Sequence, residues 1–249
     1  MKNAMENKKK KRIPIKRILL DYVLTSLAFI SLIVLSFITK QKFIKLLPCL
    51  VTLFVQLLDS KVNRFSKLIG AANCIIYSVG YFDDGLYGNA FSALLYSMPI
   101  QIITFILWSK NKYKQGTIVR SFTQPRRSAL LWVTIVAALV SICVIKVLPN
   151  SNFPTIQGIL FGVGLVYSLL AMFGYIEWIY LSIPSSILSL GLYVYIVATI
   201  NPANITYVII QTYTLIRLCV GAFNWHKMYK EQAALNGGHY LKDFEKHKR

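Results

Sequence analysis

Apolar residues fall in eight long blocks separated by short polar joins: Leu19–Ile38, Phe43–Leu58, Lys67–Phe82, Ala90–Trp108, Ala129–Leu148, Ile156–Tyr175, Ile179–Ile200 and Ile205–Trp225. Most approach the roughly 20 residues that a helix needs to cross a hydrocarbon core of about 30 Å. The two shorter blocks suit spans that are tilted, packed or set in thinned bilayer. No block alternates with the two-residue period of a membrane barrel. The pattern predicts an all-α, polytopic integral membrane protein.

Three blocks carry more polar residues than anchoring requires. The fourth holds Tyr96, Ser97, Gln101 and Thr104 around Pro99; the seventh holds Ser182, Ser185, Ser186, Ser189, Tyr193 and Tyr195 around Pro184. The eighth holds Thr206, Tyr207, Gln211, Thr212, Tyr213, Thr214 and Arg217. A polar group in lipid without a partner costs several kcal/mol, so such groups turn towards neighbours or a cavity. Ser182, Ser186, Ser189 and Tyr193 recur at steps of three or four and share one helix face, as do Tyr207, Gln211 and Thr214. Small hydroxyl residues ordinarily serve close helix packing. Gln101 and Gln211 are stronger candidates for lining a path, because an amide needs several partners. The set favours an uncharged, hydroxyl-bearing or aromatic ligand. Pro99 and Pro184 each remove a backbone donor, which is tolerated beside a cavity and lets a helix bend. Glu177 and Arg217, the two charges within or beside these blocks, are expected to form a structural pair.

Composition agrees with a membrane protein: 55% of the 249 residues are hydrophobic and 15% charged. The net charge of +19 would suit a nucleic-acid partner, but its placement does not. Lys and Arg gather in the N-terminal "KKKKR" run, the loop Ser109–Arg127 and the tail from His226. That is the cytoplasmic Lys/Arg bias of a membrane chain, and it predicts both termini in the cytoplasm. The exception is "TKQKFIK", a basic join that this topology places outside. Cys49, Cys74, Cys143 and Cys219 lie inside apolar blocks without paired spacing, so they read as small buried hydrophobes. All three histidines lie in the C-terminal tail, which leaves no His/Cys metal site within the membrane. The first block is too long for a removed signal peptide and lacks a small-residue cleavage site.

The blocks after the first divide as three, one and three. Residues 1–18 form a basic cytoplasmic terminus, 19–38 an extra span, 43–108 a first triplet, 109–148 a basic loop and linker span, 156–225 a second triplet, and 226–249 a basic tail. The triplets end alike, in "YSMPIQIITFILWSK" and "YTLIRLCVGAFNWHK", each with a Trp that suits an interface anchor. Two odd-numbered triplets joined by one span have the same orientation in the membrane. They predict two parallel three-helix bundles related by an axis along the membrane normal, as in the SWEET sugar transporters.

The segment "GLYGNAFSALLYSMPIQIITFILW" (Gly85–Trp108) resembles the fourth-span region of the nicotinamide riboside transporters, the PnuC family. "GAAN", Gly70 to Asn73, is similar to that family's "GLIN". "YIEWIYLSIPSSILSLGLY" resembles its Glu-x-Trp-x-x-Trp-x-x-x-Asn-x-x-Ser pattern at Glu177 and Ser189, and "GAFNW" its Gly-x-x-x-Trp. The chain departs from the pattern with Ile179 and Ser182 where it has tryptophans and Ser186 where it has asparagine; Trp178 is one residue out of phase. The resemblance implies facilitated, not ion-coupled, uptake of a vitamin or nucleoside across a bacterial plasma membrane. Nicotinamide riboside is the default substrate that the resemblance implies, with thiamine, riboflavin or a deoxynucleoside as alternatives that the departures leave open, and entry is driven by cytoplasmic phosphorylation. It also implies association of copies into a trimer, and needs neither cofactor nor metal. Residues and resemblance together nominate Asn73, Tyr96, Gln101, Trp178, Ser182, Ser186, Tyr207 and Gln211 for the substrate site.

Two other classes remain. A membrane-embedded enzyme would need carboxylates or histidines clustered near the interface. The one adjacent acidic pair, Asp83 and Asp84, reads better as an outside turn. A non-transporting regulatory subunit would have no use for the duplication.

Overall fold

Seven helices are long and apolar enough to cross a membrane, and an eighth has a shorter apolar stretch, Phe65–Gly80. The computed structural model describes residues 15–40, 43–83, 92–122, 124–147, 153–199 and 205–235. The basic N-terminal run, the turn at Asp84 and Gly85 with Tyr87, and the tail with His239 and His247 lie outside them. In chain order come α1 (Ile15–Ile38), α2 (Phe43–Ser60), α3 (Phe65–Asp83), a π-helical turn (Ser92–Ser97) and α4 (Met98–Lys110). A small hairpin follows, β1 (Lys112–Tyr113) and β2 (Gly116–Thr117), then α5 (Gln124–Val147), α6 (Pro154–Met172), α7 (Trp178–Thr199) and α8 (Ile205–Leu235). The chain is an all-α polytopic membrane protein.

Side-chain chemistry explains where helices change. The π-helical turn runs straight into α4, with Pro99 in the first turn of that helix, where the helix type changes. Pro48 lies inside α2 and Pro184 inside α7. The Pro48 carbonyl is taken up by side chains: Thr52 donates to it at 2.8 Å and Asn73, from α3, at 3.2 Å. α8 continues ten residues beyond its apolar block, from Trp225 to Leu235.

Six helices close into a ring. α2 packs on α3, α3 on α4, α4 on α6, α6 on α7, α7 on α8, and α8 back on α2. α1 lies outside, against both α2 and α8. α5 packs on α6, and there Gly158 and Gly162 let backbones touch. A Cβ on Gly158 would come within 2.5 Å of Ile142 Cα, and one on Gly162 within 2.5 Å of the Ala137 carbonyl oxygen. The rest of α5 exposes Leu131, Trp132, Val133, Val136, Leu139 and Val140, a surface suited to lipid.

One end of the ring is capped. Trp108, Trp178 and Trp225 form an edge-to-face row, with centroids 5.6 and 5.7 Å apart, and Trp108 donates to the Ala171 carbonyl at 3.0 Å. Over them runs the hairpin and the segment to Phe122. Val119 is fully buried; its amide donates to Gln232 of α8 at 2.9 Å, and Gln232 donates to the Thr117 carbonyl at 3.3 Å. Arg120 pairs as a β-bridge with Tyr175, and Phe122 stacks on Tyr175 at 4.1 Å. Gly174 sits at φ +76° under this crossing, with the Ile118 carbonyl oxygen 2.6 Å from where a Cβ would lie.

Candidate functional site

The nominated residues do not gather at one point; they are spread along α3, the π-helical turn, α4, α7 and α8 at different depths. Asn73 is buried on α3. Its amide nitrogen donates to Pro48 and to Thr52 Oγ1 at 3.0 Å, and Thr52 in turn meets the Tyr77 hydroxyl at 3.2 Å. Among the described residues the Asn73 Oδ1 has no hydrogen-bond partner. One turn before Asn73, Gly70 makes room for the Gln101 amide: a Cβ there would come within 2.8 Å of both its terminal atoms. The two amides thus lie on neighbouring positions of one α3 face.

Tyr96, in the π-helical turn, meets Phe161 of α6 at 5.9 Å and stands beside Ser168, yet its buried hydroxyl has no hydrogen bond of ordinary geometry. Trp178 is at the capped end, held against Trp225, with its indole N–H unpartnered. Ser182, one turn further along α7, is buried and donates to the Ile179 carbonyl at 3.2 Å. Ser186 and Gln211 are half-buried on α7 and α8. Tyr207 stacks on Tyr193, with centroids 5.3 Å apart and planes at 16°.

The expected pair of Glu177 with Arg217 is not formed. Trp178 touches Trp225, which fixes Glu177 at the capped end. Arg217 lies eight positions deeper on α8, about 12 Å at the helical rise. Each therefore pairs locally. Glu177 Oε1 accepts from Ser121 Oγ at 2.8 Å, the Phe122 amide at 2.9 Å and Arg127 Nε at 3.3 Å. It clamps the crossing segment to the start of α7. Arg217 pairs with Asp21 of α1, and its other nitrogens donate to Tyr213 Oη at 3.0 Å and to the Asp21 carbonyl and Thr25 Oγ1, both at 2.8 Å. Tyr213 also donates to the Leu53 carbonyl at 3.2 Å, so α1, α2 and α8 share one network.

Sequence reasoning missed Asp21, because the first span looked like an addendum, and missed Thr52 and Tyr77. Their signal was a hydroxyl one turn from Pro48 and a tyrosine one turn from Asn73. Most span threonines do serve their own helix: Thr25, Thr52, Thr104, Thr134, Thr199 and Thr212 each donate to the carbonyl four residues back. Among the described residues no three His, Cys, Asp or Glu stand together to hold a metal.

Residues 42–227 match the family model described as "Nicotinamide mononucleotide transporter". A crystal structure of the vitamin B3 transporter PnuC has the same fold, with a TM-score of 0.72 at 19% identity over 85% of this chain and 92% of that one. No curated protein sequence matches the chain. With the matched region taking in the ring from α2 to most of α8, the chain belongs to the nicotinamide mononucleotide transporter family of membrane proteins.

Proposed function

We propose that the chain carries nicotinamide riboside across the plasma membrane of a bacterium by facilitated diffusion, with phosphorylation inside the cell trapping what enters. The carrying observation is membership of this family, with buried polar side chains such as Asn73 and Ser182 on the helices of the ring. Among the described residues the Asn73 Oδ1 and Trp178 N–H are buried without hydrogen-bond partners, an acceptor and a donor at different depths. Two halves, residues 43–108 and 156–225, would rock about the site, with the 109–148 segment joining them and both termini on the cytoplasmic, capped side. The basic residues near that cap support this orientation.

The charge inventory favours the riboside over the mononucleotide. A phosphate inside the membrane needs a cation. Among the described residues Arg217 is the one cation in the middle of an apolar stretch, and Asp21, Thr25 and Tyr213 occupy its nitrogens. The test is uptake into proteoliposomes of labelled nicotinamide riboside, nicotinamide mononucleotide, thiamine and riboflavin. Saturable uptake of the riboside alone is the expected result. Preference for the mononucleotide would overturn the charge argument, and absence of any vitamin uptake would overturn the transporter reading.

A further inference from the structure

The end of α8, from Trp225 to Leu235, carries that helix about 15 Å past its apolar block. One face of it stays inward: Trp225, Met228, Gln232 and Ala233 recur at helical spacing and are buried, while Lys227 and Lys230 are exposed. Gln232 is the polar member of that face, and burying an amide is costly unless it is hydrogen-bonded. Its Oε1 accepts from the Val119 amide at 2.9 Å, and its Nε2 donates to the Thr117 carbonyl at 3.3 Å. Beside it, Glu231 pairs with Lys114 at the tip of the hairpin. The hairpin itself is fastened to the first half. The Gln115 carbonyl accepts from the Arg64 amide at 3.0 Å, and the Ile118 amide donates to the Asn111 carbonyl, just past α4, at 2.9 Å. A Cβ on Gly116 would lie 2.5 Å from the Val62 carbonyl oxygen, so the hairpin sits directly on the α2–α3 turn. The α8 extension therefore ties the second half to a loop seated on the first.

We propose that the α8 extension is a latch: it holds the capped end shut and releases the hairpin in each transport cycle. The inference rests on the transport reading above. When the halves rock apart at this end, α8 moves with one and the hairpin with the other, so the Glu231 and Gln232 contacts lie across the parting line. Asn224, at the root of the extension, donates to the Ser60 carbonyl of α2 at 2.6 Å across the same line. The tie suits repeated opening, because hydrogen bonds and an exposed ion pair are exchanged for bonds to water at small net cost. Glu231 and Gln232 both lie past residue 227, where the family match ends, so the latch is an addition to the matched ring.

Two tethers on the full-length protein test this, each made with a short bifunctional thiol reagent that a reductant cleaves. Uptake of labelled nicotinamide riboside into proteoliposomes is the readout. Bridging Lys114→Cys to Glu231→Cys joins the hairpin to α8 and should cut uptake at least ~10-fold, as fixing a gate does, with recovery on cleavage. Bridging Arg64→Cys to Gln115→Cys joins the hairpin to the first half and should leave uptake within ~2-fold. Lys114 and Glu231 both reach solvent, where substitutions are well tolerated, and each bridged protein is compared with itself after cleavage. Single-cysteine variants given the same reagent control for the native cysteines. Undiminished uptake with the hairpin bridged to α8 overturns the latch and leaves a static cap. Loss of uptake with the hairpin bridged to the first half overturns it too, because the hairpin then travels with α8. If the wild type takes up no riboside, the transport reading has failed; if it does and the tethers give either of those results, the latch alone has.

Discussion

The sharpest test of the fold lies at Asp21. Arg217 has 1% of its side chain exposed, and Asp21, with 18%, is its one carboxylate partner in the described structure. Replacing Asp21 with Ala leaves a guanidinium in a dry helix contact without countercharge. Breaking a buried ion pair in this way costs ~3–5 kcal/mol. Three features place the loss near ~3 kcal/mol: Asp21 is partly exposed, its carbonyl still accepts from Arg217, and so do Thr25 and Tyr213. For a chain of this size that lowers the melting temperature by ~6–12 °C. Removing both charges, as Asp21→Ala with Arg217→Met, should recover most of the loss, since an apolar pair of similar volume often replaces a buried ion pair without penalty. Thermal unfolding of detergent-solubilised protein reads all three variants. If Asp21→Ala melts within 2 °C of the wild type, or the double variant is worse than the single, Arg217 is not held as described.

Glu177→Ala should loosen the crossing segment, because three donors lose a charged acceptor worth about 2 kcal/mol to each. Limited proteolysis between residues 111 and 122 should quicken at least ~10-fold, and an unchanged rate would dismiss the clamp. Gly162→Ala should cost ~1–3 kcal/mol, since its Cβ would meet the Ala137 carbonyl oxygen at 2.5 Å and backbone must move. Gly191→Ala, with nothing within 4 Å, is the control for helix effects in the same melting experiment. The Glu231 carboxylate bonded to Lys114 pushes the lysine pKa up. Such a pair stabilises fully below the ordinary lysine value and fades only as pH climbs through the raised one. Being exposed, it is worth under ~1 kcal/mol. The melting difference between wild type and Lys114→Met should therefore be small and constant from pH 7 to 9.

What the sequence discloses and what it withholds follow from range. Spans are set by apolar length, so among the described residues seven of the eight blocks coincide with membrane-length helices, the third is shorter, and the fourth starts with a π-helical turn. Amides and paired tryptophans also stand out locally: Asn73 sits at the α2–α3 contact, Gln101 against Gly70, and Trp178 in the tryptophan row. Partners are another matter. Arg217 had to choose between an acid 40 positions before it and one 196 before it, and chain distance carries no information about which wins. Depth decides. Glu177 is tied to the membrane edge by Trp178, whereas Asp21 enters on a helix that covers the α2–α8 contact at the level of Arg217. The same consideration separates the nominated residues from one another. Serines at steps of three or four do share a face of α7, but that face runs the length of the ring, from Ser182 beside the tryptophans to Tyr193 near the other end. Periodicity identifies the face and leaves the height along it to be fixed by the helices opposite. Height along a helix is therefore the information that the spacing of polar residues does not carry, and it is fixed only when the helices pack.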